Sequence, residues 1–178
     1  MNFNIFRPDE SRAEELAITN IRCWQEVYTG LVPPEILANV DLVAQTAKWK
    51  GILADSQQVA FAAAAHEKVL AGFVVAGRPS EILFDGIDGH IAALYILRSF
   101  YRQGLGRRLL AAAAKEWLAR GGTSLALGVL AENHQARRFY ESLGARLVRT
   151  GIYEWDGHPL HDAIYVFENL AELAASIP

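Results

Sequence analysis

The sequence predicts a mixed α/β layer fold, a central mixed sheet flanked by helices, and three observations carry the prediction. Two short apolar runs, residues 91–97 and 124–130, bracket a long stretch from Gly104 to about Arg120 whose apolar residues recur at helical spacing. The order of elements is strand, helices, two strands, strand–helix–strand–helix and a final strand pair, a succession typical of layered α/β folds. Asp156-Gly157 sits between the last two alternating runs as a hairpin turn. With 178 residues, 52% of them hydrophobic, the chain is expected to form one domain, 1–178, with a full core.

Residues 3–7 alternate as a strand does and stop at Pro8. Ser11 and Glu14 have the spacing of a capping box that opens a helix through about Tyr28, with Ala13, Leu16, Ala17, Trp24 and Val27 on its apolar stripe and Gly30 as the stop. Pro33-Pro34 starts another helical stretch and Asp41 offers a second cap, giving one or two short helices that end near Leu53 and bury Trp49. Residues 57–66 and 69–77 read as strands joined by a turn at Glu67-Lys68, the first of them alanine-rich and so poor in strand composition.

Residues 78–89 form a loop whose apolar Phe84 and Ile87 fit a pocket cap, a subunit contact or local packing. The strand at 90–97 follows. In the helix from Gly104, Leu105, Leu109, Leu110, Ala113 and Trp117 share one wide face, Arg107, Arg108 and Lys115 lie opposite, and Gly121-Gly122 ends it. Next come a strand at 124–130, a short helix from Asn133 to the stop at Gly144, and strands at 146–155 and 160–167. The last ten residues read as a loose tail or a short helix.

Composition narrows the function. A net charge of -3 gives no reason to expect nucleic acid or an acidic membrane as partner. The single cysteine, Cys23, excludes an internal disulfide, and one cysteine with five scattered histidines argues against a metal site. No leader pattern precedes Phe3 and no apolar run approaches the ~20 residues of a membrane span, so a cytoplasmic location is expected.

The chemistry gathers at the turn after the strand at 90–97. Gly104 and Gly106 free the backbone to curl, and the first amides of the following helix have no partner within it. Those amides carry the positive end of the helix dipole, and Arg102, Arg107 and Arg108 add full charge, which together make a phosphate cradle. Leu109 stands where a dinucleotide fingerprint wants its third glycine, and no Gly-Lys pair offers a nucleotide P-loop. An ordinary strand-to-helix turn is the alternative.

Tyr101-Arg102-Gln103-Gly104-Leu105-Gly106 resembles the pyrophosphate-binding motif [QR]-x-x-G-x-[GA] of the GNAT superfamily of acetyl-CoA-dependent N-acetyltransferases, departing from it at Tyr101. Downstream, the stretch from Asn133 to Ala145 is similar to that family's N-x-x-A-x-x-F-Y-x-x-x-G-F signature. The resemblance implies a mixed sheet whose strands at 90–97 and 124–130 run parallel and splay apart to admit the pantetheine arm of acetyl-CoA. It places the coenzyme on Ile96, Arg102, Gln103, Gly104, Leu105, Gly106, Arg107, Asn133, Ala136 and Tyr140.

It further implies acetyl transfer to a primary amine of a small molecule or peptide, by direct attack in a ternary complex. A backbone N–H near Ile96 would steady the oxyanion, and Tyr140 would protonate the departing thiolate; the alternative for Tyr140 is a core or rim aromatic. His90 stands where many relatives carry a glutamate base, and could equally be a surface histidine; Glu26, or no side chain at all, are the other choices. Asn133 fits a coenzyme contact, an N-cap or both.

The acceptor pocket is expected to be framed by the first helices, the loop at 78–89 and the hairpin, with Trp24, Tyr28, Trp155 and His158 lining it; core aromatics are the first reading of Trp24 and Tyr28 from helical spacing alone. A homodimer is open on the family pattern. Two other readings stay open: a non-catalytic acyl-CoA-binding regulatory or interaction domain, and a nucleotide-phosphate binder using the same cradle.

Overall fold

The computed structural model describes residues 3–66, 69–78 and 86–176. The turn expected at Glu67-Lys68, and Pro79, Phe84 and Asp85 of the expected loop, lie outside the described residues. Seven strands form one sheet: β1 (Asn4–Phe6), β2 (Gln58–His66), β3 (Val69–Gly77), β4 (His90–Ile96), β5 (Leu125–Leu130), β6 (Arg146–Trp155) and β7 (His158–Phe167). Their order is β1-β2-β3-β4-β5-β7-β6, antiparallel throughout except where β4 meets β5.

Helices cover both faces. Ala13, Leu16 and Ala17 of α1 (Ala13–Tyr28) and Trp49 of α3 (Leu42–Ala54) bury one face with Phe73 and Val75. On the other face, Leu105, Leu109, Leu110, Ala113 and Trp117 of α4 (Leu105–Ala119) pack with Leu170 and Leu173 of α6 (Leu170–Ala175) against Val74, Leu125 and Tyr165. The final residues thus form a helix, capped by Asn169, whose side chain accepts the Glu172 N–H. The alanine run of β2 has its reason here. Ala62 joins the α1–α3 core and Ala63 the α4 core, both fully buried, and small side chains let helices approach the strand from both sides.

Local rules hold at several ends. Asp41 caps α3 by accepting the N–H groups of Val43 and Ala44 at 3.0 and 3.3 Å. Asp156 and Gly157 both adopt positive φ, 48° and 79°, so the two-residue turn has the twist hairpins favour and β7 starts at His158 rather than Leu160.

Two expectations are corrected. The Ser11–Glu14 capping box does not form: Asp9 accepts the Ser11 N–H and hydroxyl, and a 3₁₀ turn at Glu10–Arg12 precedes α1. Arg108 does not simply stand free beside the turn; half-buried, its guanidinium donates to the Phe3 carbonyl, 3.1 Å, and ties α4 to the residue that leads into the first strand. Among the described residues, no helix is long and apolar enough to cross a membrane.

Asp88 fixes the entry to β4. Its carboxylate accepts the Trp117 indole N–H (2.9 Å), the Thr123 N–H and hydroxyl (both 2.7 Å) and the Ser124 N–H (3.1 Å). Burial pushes this carboxyl's pKa up, but the hydrogen bonds from Thr123, Trp117 and Ser124 outweigh it and hold the group below its usual value. Asp88→Ala is expected to lower the unfolding free energy by about 2–3 kcal/mol, measured by urea denaturation at pH 7. A carboxylate depressed in the folded state stabilises above its unfolded pKa of about 4 and loses that contribution as pH falls through the folded value. The gap between Asp88→Ala and the parent protein therefore narrows below about pH 4; a gap independent of pH would show that the charge is irrelevant.

Candidate active site

The site begins where the sheet comes apart. β4 and β5 pair in register only at His90 and Ala126, reinforced by the Ala126 N–H on the Gly89 carbonyl at 2.9 Å. Toward their C-terminal ends the two parallel strands diverge, and the cleft between them opens into a cavity of about 560 Å³. Its walls are Ile91–Ile96 of β4, Leu127–Val129 of β5, the first turn of α4, and α5 (His134–Ser142).

At the mouth, the chain leaves β4 through a short 3₁₀ turn, Arg98–Phe100, and curls through two left-handed residues, Arg102 (φ 62°) and Gly104 (φ 76°), before α4 starts. Gly104 is the N-cap and has no side chain to satisfy the first amides of α4, which are left to a ligand. Arg102, Arg107 and Arg138 are exposed around this mouth and make no ion pair with the described residues. Gly106 is buried under Phe139: a Cβ there would lie 2.9 Å from Phe139 Cζ and 3.2 Å from Ile96 Cδ1.

On the α1 side the wall is aromatic. The Tyr28 and Tyr95 hydroxyls lie 2.7 Å apart, and Tyr28 stands edge-on to Tyr95 (6.2 Å between centroids) and to Trp155 (5.3 Å). Trp24 packs edge-on against Trp155 in turn, at 5.4 Å. Its indole N–H is buried beside the Tyr95 hydroxyl without reaching hydrogen-bond geometry. Tyr140 lines the cavity, and its hydroxyl makes no hydrogen bond with the described residues. Burial, with the neighbouring Tyr28 a smaller cause, pushes the Tyr140 phenol well up, and burial does the same to Tyr95 and Tyr28. All three remain protonated at neutral pH.

Ile96, Arg102, Gly104, Leu105, Gly106, Arg107, Asn133, Ala136, Tyr140 and Tyr28 therefore come together around one cavity. Asn133 also caps α5, accepting the Ala136 N–H at 3.1 Å. Six other residues stand elsewhere. Gln103 is exposed and turns its amide toward the Ser99 carbonyl, 3.5 Å away. Trp24 and Trp155 do not line the cavity; they form the layer behind Tyr28. His158 approaches Glu35 at 3.7 Å, which holds the hairpin near α2 (Pro34–Ala38).

His90 sits at the closed end, where β4 and β5 are still paired, and is not part of the lining; burial lowers its pKa, which keeps it neutral at pH 7. Glu26 is committed as well, its carboxylate accepting the Arg98 N–H at 2.7 Å while the Arg98 guanidinium returns to the Glu26 carbonyl.

Sequence reasoning missed Tyr95 and Arg138. Tyr95 is the polar-tipped residue of the otherwise aliphatic stretch Ile91–Ile96. Gln135, Arg138 and Ser142 recur at helical spacing along the cavity-facing side of α5, a polar stripe that the sequence does carry.

Comparison with known proteins bears on the fold and the family. The chain is 27% identical over 160 residues to the uncharacterized N-acetyltransferase YuaI of Bacillus subtilis, covering 90% of each. Its fold matches the PaiA N-acetyltransferase of Thermoplasma acidophilum, solved with coenzyme A, with a TM-score of 0.68, 19% identity and coverage of 92% of this chain and 98% of that one. It likewise matches YncA of Salmonella typhimurium, solved with acetyl-CoA, with a TM-score of 0.71, 18% identity and 94% of both chains covered. Residues 20–145 match the model of the acetyltransferase (GNAT) family, and the chain belongs to that family of acyltransferases.

Proposed function

We propose that this protein transfers the acetyl group of acetyl-CoA to a primary amine of a small molecule or peptide, by direct attack in a ternary complex. The observation that carries the reading is the cleft between β4 and β5, which opens on a glycine turn ringed by arginines that make no ion pair with the described residues, and has Tyr140 on its wall. Three features fit the coenzyme: free helix amides and guanidiniums suit its phosphates, unpaired strand edges suit its amide-bearing arm, and the bare Cα of Gly106 keeps the passage open. PaiA and YncA, which share the fold, were solved with coenzyme A and acetyl-CoA.

Bound there, acetyl-CoA supplies an acyl carbon activated as a thioester. Arg102, Arg107 and the amides at Leu105 and Gly106 hold the phosphates, and Ile96, Asn133 and Ala136 guide the arm. The amine enters as the free base, since the described lining residues include no carboxylate or imidazole and its proton is given to water. Its nitrogen forms the new C–N bond as the C–S bond breaks. Tyr140 gives its hydroxyl proton to the leaving sulfur, and regains one from solvent as the product nitrogen releases its extra proton.

Calorimetric titration with acetyl-CoA, with ATP and NAD as controls, tests the reading. Saturable binding of acetyl-CoA alone is expected. Tighter binding of ATP or NAD would assign the cradle to a nucleotide instead.

A further inference from the structure

We infer that the acceptor is a monoamine on an aromatic or other apolar body, with no second charge, and that Tyr28 selects it; this rests on the acetyltransferase reading above. The two ends of the cavity differ in chemistry. The mouth carries Arg102, Arg107 and Arg138, which match the phosphates. The inner wall is Val27, Tyr28, Ala93, Tyr95, Leu127 and Tyr140, uncharged throughout. Arg98, the other charged lining residue, turns its guanidinium to the Glu26 carbonyl.

A polyamine would have to place a second ammonium in this cavity with no carboxylate among the described lining residues to receive it. An amino acid would bring a carboxylate to a wall of phenols and aliphatic groups. An aromatic or apolar body instead meets ring faces and edges that prefer such contacts.

Tyr28 is positioned to discriminate because it is immobilised. Its hydroxyl is paired with Tyr95, and its ring is wedged edge-on between Tyr95 and Trp155, with Trp24 behind. A wall set in place before binding leaves little side-chain freedom to be lost when an acceptor arrives. The two tryptophans thus act on the acceptor through Tyr28, as positioning residues.

Free-thiol release is measured with acetyl-CoA and three amines, 2-phenylethylamine, phenylalanine and spermidine, while acetyl-CoA binding is followed separately by calorimetry. kcat/KM for 2-phenylethylamine is expected to exceed that of the other two by about tenfold or more. Tyr28→Ala should raise its KM about tenfold and Tyr28→Phe less than about threefold, with acetyl-CoA affinity within about twofold in both, which also shows that the variants fold. Turnover of spermidine or phenylalanine at a rate equal to or above that of 2-phenylethylamine overturns the inference, as does an unchanged KM in Tyr28→Ala. Acetyl-CoA binding with none of the three amines turned over rejects the monoamine assignment and leaves the acetyltransferase reading standing. Folded protein that fails to bind acetyl-CoA removes both.

Discussion

Tyr140→Phe is expected to lower kcat about 100-fold while the acetyl-CoA dissociation constant stays within about twofold. The substitution removes one oxygen from a buried ring and leaves its packing in place, so the wall of the cleft keeps its shape. Because the Tyr140 hydroxyl makes no hydrogen bond with the described residues, its loss strands no partner there. Any fall in rate then reports on the proton it delivers rather than on the fold.

The pH profile separates this role from a structural one. Burial raises the Tyr140 pKa, so the phenol stays protonated well past its ordinary value of about 10, and no alkaline loss of its acid form is expected between pH 7 and 10. Rising activity over that range would follow from the amine losing its own proton. Steady-state kinetics across that range checks both points. Unchanged kcat in Tyr140→Phe would take this residue out of the chemistry and revive the reading of a domain that binds an acyl-CoA without using it.

Much of this site was legible because local physics dictates it. A glycine that caps a helix after an apolar strand leaves amides unpaired wherever it occurs, and Gly104 does so here. The helical spacing of Leu105, Leu109, Leu110, Ala113 and Trp117 placed α4 on the sheet, and all five are buried. The misreadings come from information that local pattern lacks. Ser11 and Glu14 satisfy a spacing rule, yet Asp9, two residues earlier, offers a carboxylate to the same backbone and wins.

Arg108 falls on the polar side of its helix by period alone, and only the position of the first strand explains why it turns to the Phe3 carbonyl. His90 has the right strand, but a strand read in isolation does not reveal which of its ends is splayed. Trp24 and Trp155 lie far apart in sequence and meet only because the β6–β7 hairpin folds back toward α1.

The cradle makes a sharper demand, since its two glycines are needed for different reasons and substitutions should part them. Gly104 is required for its dihedral: φ is 76°, while a Cβ would meet nothing within 4 Å. Gly104→Ala should therefore cost about 1–2 kcal/mol of stability from left-handed strain and change acetyl-CoA affinity less than about threefold. Gly106 is required for its space.

Gly106→Val puts a branched side chain against Phe139 and Ile96, both of which line the cleft, and whichever ring or methyl yields must move into the coenzyme's path. Overpacking of this kind costs about 1–3 kcal/mol, and if that strain falls on the bound state, affinity drops about 10- to 100-fold. Calorimetry gives the affinities and urea denaturation the stabilities. Larger loss of binding in Gly104→Ala than in Gly106→Val would mean that the turn's curvature, not the opening beneath Phe139, governs entry. The predicted order instead ties recognition to the width of the splay, the one feature of the sheet that ordinary strand pairing would have closed.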